Sequence, residues 1–277
     1  MSGTAFHNMG QEPWLPTWDG GLYAANTDHH RRYDARFLST LPLMPTDRVL
    51  DLGCGAGDLT ATVAELVPDG HVVGLDPQPS LLAEARNRAG ANQSFVEAPA
   101  QRLCEAITDD GSFDVIFSQS MLHWVPWTDH PSILRACRRL LRSSGALRVE
   151  CGGGDNVREI VTFLDTIAQE VAGASAPRAP WTFVHAGAYL DLLLEIGFDV
   201  GVREGYVHTV AQRRPFDHDG VIGWLTSQVV EAYATDLAPE QREPFRSEVT
   251  SRVDELRRAD GTYDVTFVRL DLLAFNP

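Results

Sequence analysis

The first half of the chain alternates short apolar runs with segments of helical period. "RVLDLGC" (48–54) reads as a strand, and "LTATVAELV" (59–67) as a helix stopped by Pro68-Asp69-Gly70. "HVVGLDP" and "QSFVEA" give a second and third strand, separated by the helix "PSLLAEARNRAG". "FDVIFSQS" is a fourth strand. A helix over 131–145, opening on Pro131-Ser132 and closing at Gly145, precedes the fifth, "ALRVECGGG". Strands that are apolar throughout, alternating with helices, predict a parallel sheet covered on both faces. Beyond it lie a long amphipathic helix (157–173), a loop, a helix "AYLDLLLEIG" and a strand "FDVGVREGYVHTV". Residues 215–260 read as helical and "YDVTFVRLDLLAFN" as a final alternating strand, so the last two strands are expected to close the sheet antiparallel. The first 30 residues, rich in Trp, Gly and Pro, predict an irregular arm, and there is no internal repeat.

Composition narrows the function. With 277 residues and 44% apolar positions, the chain suits one large α/β domain with an appendage, or two small ones. The formal charge of −15 argues against nucleic acid, which needs a basic stripe; the best candidate, Arg135, Arg138, Arg139 and Arg142, reads as a solvated helix face. No run reaches 18 apolar residues, so no membrane span is expected, and the N-terminus lacks the pattern of a signal peptide. Four dispersed cysteines read as reduced thiols, which with the rest predicts a cytoplasmic protein. The chain has no lysine, which excludes a Schiff-base mechanism and any P-loop.

The chemistry concentrates in "VLDLGCGAGDL", Val49–Leu59. Gly53, Gly55 and Gly57 follow a strand ending in Asp51, where ligands sit in an open parallel sheet. The alternate glycines are expected to let backbone N–H groups face a ligand. Position 58 is Asp, not the third glycine of a dinucleotide fingerprint, which argues against a pyrophosphate. Asp76, ending the second strand, suits a bidentate acceptor for a ribose diol, so the expected ligand is a nucleoside without phosphates.

The runs "VLDLGCGAGDLT", "VVGLDPQPSLLAEAR" and "FDVIFSQSMLHWV" together resemble the class I S-adenosylmethionine-dependent methyltransferases. The "LHWV" run, "VECGGGDNV" and the Trp224-anchored insertion look closest to the trans-aconitate methyltransferase-like branch. The resemblance implies a Rossmann-like, seven-stranded, mostly parallel sheet with helices on both faces. It also implies an N-terminal cap (1–34), a cofactor-binding core (35–212 and 262–277) and a helical substrate lid (213–261) inserted before the last strand. The cofactor is S-adenosylmethionine, leaving as S-adenosylhomocysteine. Asp51 with the backbone of Gly53 and Gly55 would hold its methionine end, and Tyr23 of the arm would close over it. Asp76 would take the ribose, and Pro77 and Gln78 would flank the adenine. Ser118 and Gln119 would line the sulfonium side, with His123 following at the mouth of the site as the candidate general base. Where relatives carry an adenine-binding acid after the third strand, this chain has Pro99, followed by Ala100 and Gln101, so that contact must come from Gln101, backbone or water.

The activity implied is methylation of a small organic molecule, at a carboxylate or hydroxyl oxygen, in specialised metabolism. N- or C-methylation, or a cyclase keeping the same cofactor, stand as alternatives. No metal site is expected, because His29 and His30 are adjacent and lack a third ligand at suitable spacing. Partners are expected to be a small-molecule substrate, with no nucleic acid or membrane, and the chain a monomer or homodimer.

Overall fold

A computed structural model describes residues 35–201 and 203–277. Alternation of strand and helix builds the sheet in chain order. β1 (Arg48–Leu52), α1 (Asp58–Leu66), β2 (His71–Asp76), α2 (Pro79–Asn87) and β3 (Gln93–Glu97) come first. A 3-10 turn (Ala100–Arg102) and α3 (Leu103–Ala106) lead to β4 (Phe113–Gln119), α4 (His130–Leu140) and β5 (Leu141–Gly152). Then follow α5 (Arg158–Ala172), α6 (Ala186–Ile196), β6 (Tyr206–Phe216), α7 (His218–Leu225), α8 (Glu231–Asp236), α9 (Pro239–Ser251) and β7 (Tyr263–Phe275).

The seven strands lie in the order β3-β2-β1-β4-β5-β7-β6. β1 to β5 run parallel, and β7 is antiparallel to both β5 and β6. The last two strands close the sheet as an antiparallel pair, as the pattern suggested; only β7 is reversed, and β6 points the same way as β5. Period-two alternation sorts the core. Leu50, Val73, Ile116, Leu147 and Val149 meet α3, α4 and α6 on one face. Val49, Val72, Val115 and Phe117 meet α1, Phe37 and Leu41 on the other.

Two boundaries differ from the sequence pattern. Helix α4 ends at Leu140 rather than running to Gly145, because the Asn276 side chain donates to the carbonyls of Arg138 (3.3 Å), Leu141 (2.9 Å) and Arg142 (3.2 Å). β6 begins at Tyr206 and runs through Pro215, which an edge strand tolerates because one side of its backbone is unpaired.

Beyond Arg269, where β5 stops pairing, β6 and β7 continue alone as a two-stranded ribbon out to Phe216↔Tyr263. This ribbon carries α7 to α9. Those helices share a second hydrophobic cluster with α5, built on Phe163, Leu164, Ile167, Leu225, Tyr233 and Phe245. The insertion thus packs on α5 and on the β6–β7 ribbon.

One buried charge pair ties the end of the described N-terminal segment to the sheet. Arg148 (0% exposed) lies 2.8 Å from Asp271 (2% exposed), donates Nε–H to Thr40 (3.0 Å) and sits 4.5 Å over the Phe37 ring. Arg36 reaches the other oxygen of Asp271 at 3.2 Å. The Arg148–Asp271 contact is an ion pair rather than an aligned hydrogen bond, and Nη2 of Arg148 has no hydrogen-bond partner among the described residues.

Candidate active site at the carboxyl end of the sheet

β1 enters the glycine turn with Asp51 buried beneath it. Its Oδ2 accepts from the Thr60 hydroxyl at 2.6 Å. Burial pushes its carboxyl up to about 7; the Thr60 bond opposes that shift and the charge of Asp76 adds to it. The turn is pinned to the end of β2: Gly53 and Cys54 N–H both donate to Leu75 O (2.7 and 3.1 Å), and Gly55 N–H donates to Asp76 Oδ2 (2.9 Å). These N–H groups are spent inside the protein, contrary to the expectation that they face a ligand. What the glycines supply is clearance. A Cβ on Gly53 (φ +84) would lie 2.3 Å from Met121 Cγ, whereas one on Gly55 would enter open space. Gly53→Ala is expected to lower the melting temperature, since left-handed backbone costs an alanine about 1–2 kcal/mol before the clash is counted. An unchanged melting curve would contradict this.

Asp76 is nearly buried and held at both oxygens, Oδ2 by Gly55 N–H and Oδ1 by Gln78 N–H (2.9 Å). Burial raises its carboxyl, and these two bonds partly offset the shift. Pro77 and Gln78 follow it into α2, with Gln78 as the N-cap. Opposite, Ala98 N–H donates to Asp76 O (3.2 Å), which sets Pro99, Ala100 and Gln101 beside the same strand end. Ala100 opens the 3-10 turn, so its N–H has no partner within that turn. The Gln101 amide donates to Asp129 at 3.2 Å, so an acid does reach this loop, from 28 residues away.

The fourth strand ends beside the glycine turn. Ser118 is fully buried and donates to Leu52 O (2.7 Å) at the end of β1. Gln119 closes the strand, half-buried. The next residue, Ser120, adopts φ +58 and gives its N–H to Glu150 O (2.7 Å). Its Oγ accepts from Arg269 at 2.7 Å, and Glu150 holds the same guanidinium through Nε and Nη2, both at 3.2 Å. Arg269 is the ladder partner of Gly152. Ser120, Glu150 and Arg269 were missed from the sequence.

His123 lies on a 3-10 turn (Leu122–Trp124). Its Nδ1 accepts the Gly152 N–H at 3.2 Å, and its carbonyl accepts from Thr182 N–H at 2.8 Å. Accepting at Nδ1 requires the neutral ring with its proton on Nε2. The ring then carries its proton on Nε2, where it can donate a hydrogen bond. His130 braces the turn from below, donating to Val125 O (3.0 Å) and accepting from the Tyr189 hydroxyl at 2.5 Å.

Three aromatic side chains surround His123. Phe183 lies 6.0 Å and Trp124 5.5 Å from it, centroid to centroid; Trp181 stacks on Phe183 at 5.8 Å and takes Trp124 edge-on at 5.7 Å. Gly152 makes this possible, since a Cβ there would lie 2.6 Å from Phe183 Cε1. Phe216 and Trp224 pack with Phe267 in the second cluster, which Trp181 and Phe183 also border. Tyr23 falls outside the described residues.

Cysteine chemistry is disfavoured: Cys137 and Cys151 are buried, which pushes each thiol up to about 12. Among the described residues no group of three or more His, Cys, Asp or Glu could hold a metal, and no helix is long and apolar enough to cross a membrane.

A glycine turn pinned over a buried acid, with a rigid carboxylate at the next strand end, is a nucleoside-binding arrangement. Residues 49–145 match the model of a methyltransferase domain. The chain is similar to trans-aconitate 2-methyltransferase of Methylobacterium radiotolerans, 30% identical over 270 residues, covering 94% of this chain and 98% of the relative. The chain belongs to the class I S-adenosylmethionine-dependent methyltransferases. The Escherichia coli (strain K12 / DH10B) enzyme of the same name is 29% identical, with the same coverage. Among solved structures, phosphoethanolamine N-methyltransferase 2 of Haemonchus contortus, bound to S-adenosylhomocysteine, shares the fold (TM-score 0.54, 17% identity, 89% of this chain and 52% of that one). So does the cyclopropane synthase MmaA2 of Mycobacterium tuberculosis (TM-score 0.53, 16% identity, 88% and 83%). The methyltransferase takes S-adenosylmethionine as cofactor. The residues present fit that cofactor: Asp76 is oriented by two backbone donors, and the space over Gly55 is open.

Proposed function

We propose that this methyltransferase esterifies a carboxylate of a small organic acid. The observation that carries the reading is the Gly152 N–H bond to His123 Nδ1. A hydroxyl acceptor must lose a proton, whereas a carboxylate is ionised at neutral pH and needs no base. A site whose histidine donates at Nε2 suits the second kind. Arg269 supports the same reading, because Glu150 and Ser120 hold its guanidinium at the strand end beside Gly152. The named relatives act, by their titles, on trans-aconitate, which is itself a carboxylic acid.

When bound, S-adenosylmethionine supplies a methyl on a cationic sulfur; transfer forms the O–C bond as the C–S bond breaks, its electron pair staying on sulfur and no proton moving. In this reading Asp76 takes the ribose hydroxyls, Pro77, Gln78 and Ala100 flank the adenine, and Asp51 faces the methionine end across the Gly53–Gly55 turn. His123 and Arg269 orient the acceptor. Residues 213–261, packed on α5, cover it and exclude water, which sharpens alignment in a transfer that needs little else.

The test is the pH dependence of kcat/KM for a carboxylate acceptor at saturating cofactor. A flat profile from pH 6 to 9 is expected, with His123→Gln retaining more activity than His123→Ala. A limb rising near neutrality, lost in His123→Ala, would restore the base and overturn the reading.

Asp51 gives a second expectation. Its carboxyl is raised in the folded state, so the stability that its proton confers is lost as pH rises from about 4 through about 7. The cations of the bound methionine end favour the ionised form, so binding releases a proton and the affinity for cofactor is expected to tighten from pH 5.5 to 8. Calorimetric titration at three pH values checks this; weakening toward pH 8 would contradict it.

A further inference from the structure

The wall around His123 is aromatic, and its charge is low. Trp124, Trp181 and Phe183 pack ring against ring, yet each stays part-exposed, while Phe37, Phe113 and Phe117 of the sheet core are fully buried. Tyr233 meets the Trp181 ring at 5.7 Å from the lid side and is itself buried, its hydroxyl donating to Asp165 (2.8 Å), so the wall is fixed from behind. Flat rings held rigid and left half-open favour a flat partner, since offset or edge contacts between rings add about 0.5–1.5 kcal/mol beyond area burial.

The charge at the site is sparse. Among the described residues, the cation that the ladder brings to this cluster is Arg269, and Glu150 already balances it. A tricarboxylate would bring three negative charges to a chain whose formal charge is −15. One carboxylate, by contrast, can share the guanidinium that Glu150 orients.

We infer that the acceptor of this enzyme is a planar, aromatic or conjugated acid carrying a single carboxylate, its flat body laid on Trp181, Phe183 and Trp124 and its carboxylate at the Arg269 end. The relatives' printed names imply an aliphatic polyacid; this site is furnished for a different member of the carboxylic acids. The carboxylate end rests on the reading proposed above, whereas the flat body rests on the aromatic wall alone.

The experiment uses the full chain with S-adenosylmethionine and three probes: trans-cinnamate, cinnamyl alcohol and trans-aconitate. Initial rates give kcat/KM, and calorimetry in the presence of S-adenosylhomocysteine gives binding without turnover. Expected is a kcat/KM for cinnamate about 100-fold above that for trans-aconitate, within the range that one apolar pocket contact can discriminate. Trp181→Ala is expected to raise KM for cinnamate at least tenfold with cofactor affinity unchanged, and Trp181→Phe to restore most of it. Transfer to cinnamyl alcohol but not to cinnamate would overturn the carboxylate reading and leave the aromatic recognition standing. Equal or better use of trans-aconitate, failure of both aromatic probes to bind, or an unchanged KM in Trp181→Ala would overturn the inference.

Discussion

Asp76→Ala is expected to weaken S-adenosylmethionine and S-adenosylhomocysteine binding by roughly 100-fold or more. Two hydrogen bonds from a ribose diol to a carboxylate are worth about 1.5–3 kcal/mol each, and Asp76 is nearly buried, so water screens them little. The substitution also leaves Gly55 N–H and Gln78 N–H without their acceptor, which loosens the turn that the cofactor must meet. Asp76→Asn keeps one acceptor oxygen and offers an amide where the other stood, so it is expected to fall between wild type and alanine. Calorimetric titration with S-adenosylhomocysteine measures the loss, and a melting curve on the same sample separates it from unfolding. Affinity within threefold of wild type would remove Asp76 from the ribose site.

The largest expected effect on stability lies at Asp271. Asp271→Ala leaves the fully buried Arg148 guanidinium without its ion-pair partner and Arg36 without its anchor. Breaking a buried pair on one side costs about 3–5 kcal/mol, a large share of the 5–15 kcal/mol that a domain has in total. Removing both charges, as in Arg148→Met with Asp271→Leu, is expected to recover most of that loss, because neither charge is then stranded. Urea denaturation of the two variants decides the matter. A single substitution costing under 1 kcal/mol, or a double that is worse than the single, would contradict it.

Local patterns carried part of this structure into view. β1, the glycine turn and Asp76 were legible because strand, turn and helix follow one another within 30 residues and each announces itself by period or by glycine. Ser118 shows the next limit. The end of β4 was legible, but the partner of its serine was not, since that hydroxyl bonds to Leu52 in the neighbouring strand, 66 residues away. Arg269, Glu150 and Ser120 were hidden for a different reason. They meet only because β7 runs back against β5, and nothing local to "TFVRLDLL" states which strand it will pair with or in what register. The early end of α4 is similar, since the cap comes from Asn276 at the far end of the chain. The Gly152 N–H bond to His123 Nδ1 was hidden too, because it joins the end of β5 to a turn 29 residues away.

The central claim is methyl transfer to a carboxylate oxygen. The measurement is incubation with methyl-deuterated S-adenosylmethionine and trans-cinnamate or trans-aconitate, followed by mild alkaline hydrolysis of the labelled product and mass spectrometry of the volatile fraction. The account predicts release of trideuterated methanol, which an ester yields. A labelled product that survives alkali intact, as an ether, amine or C-methyl compound would, contradicts it.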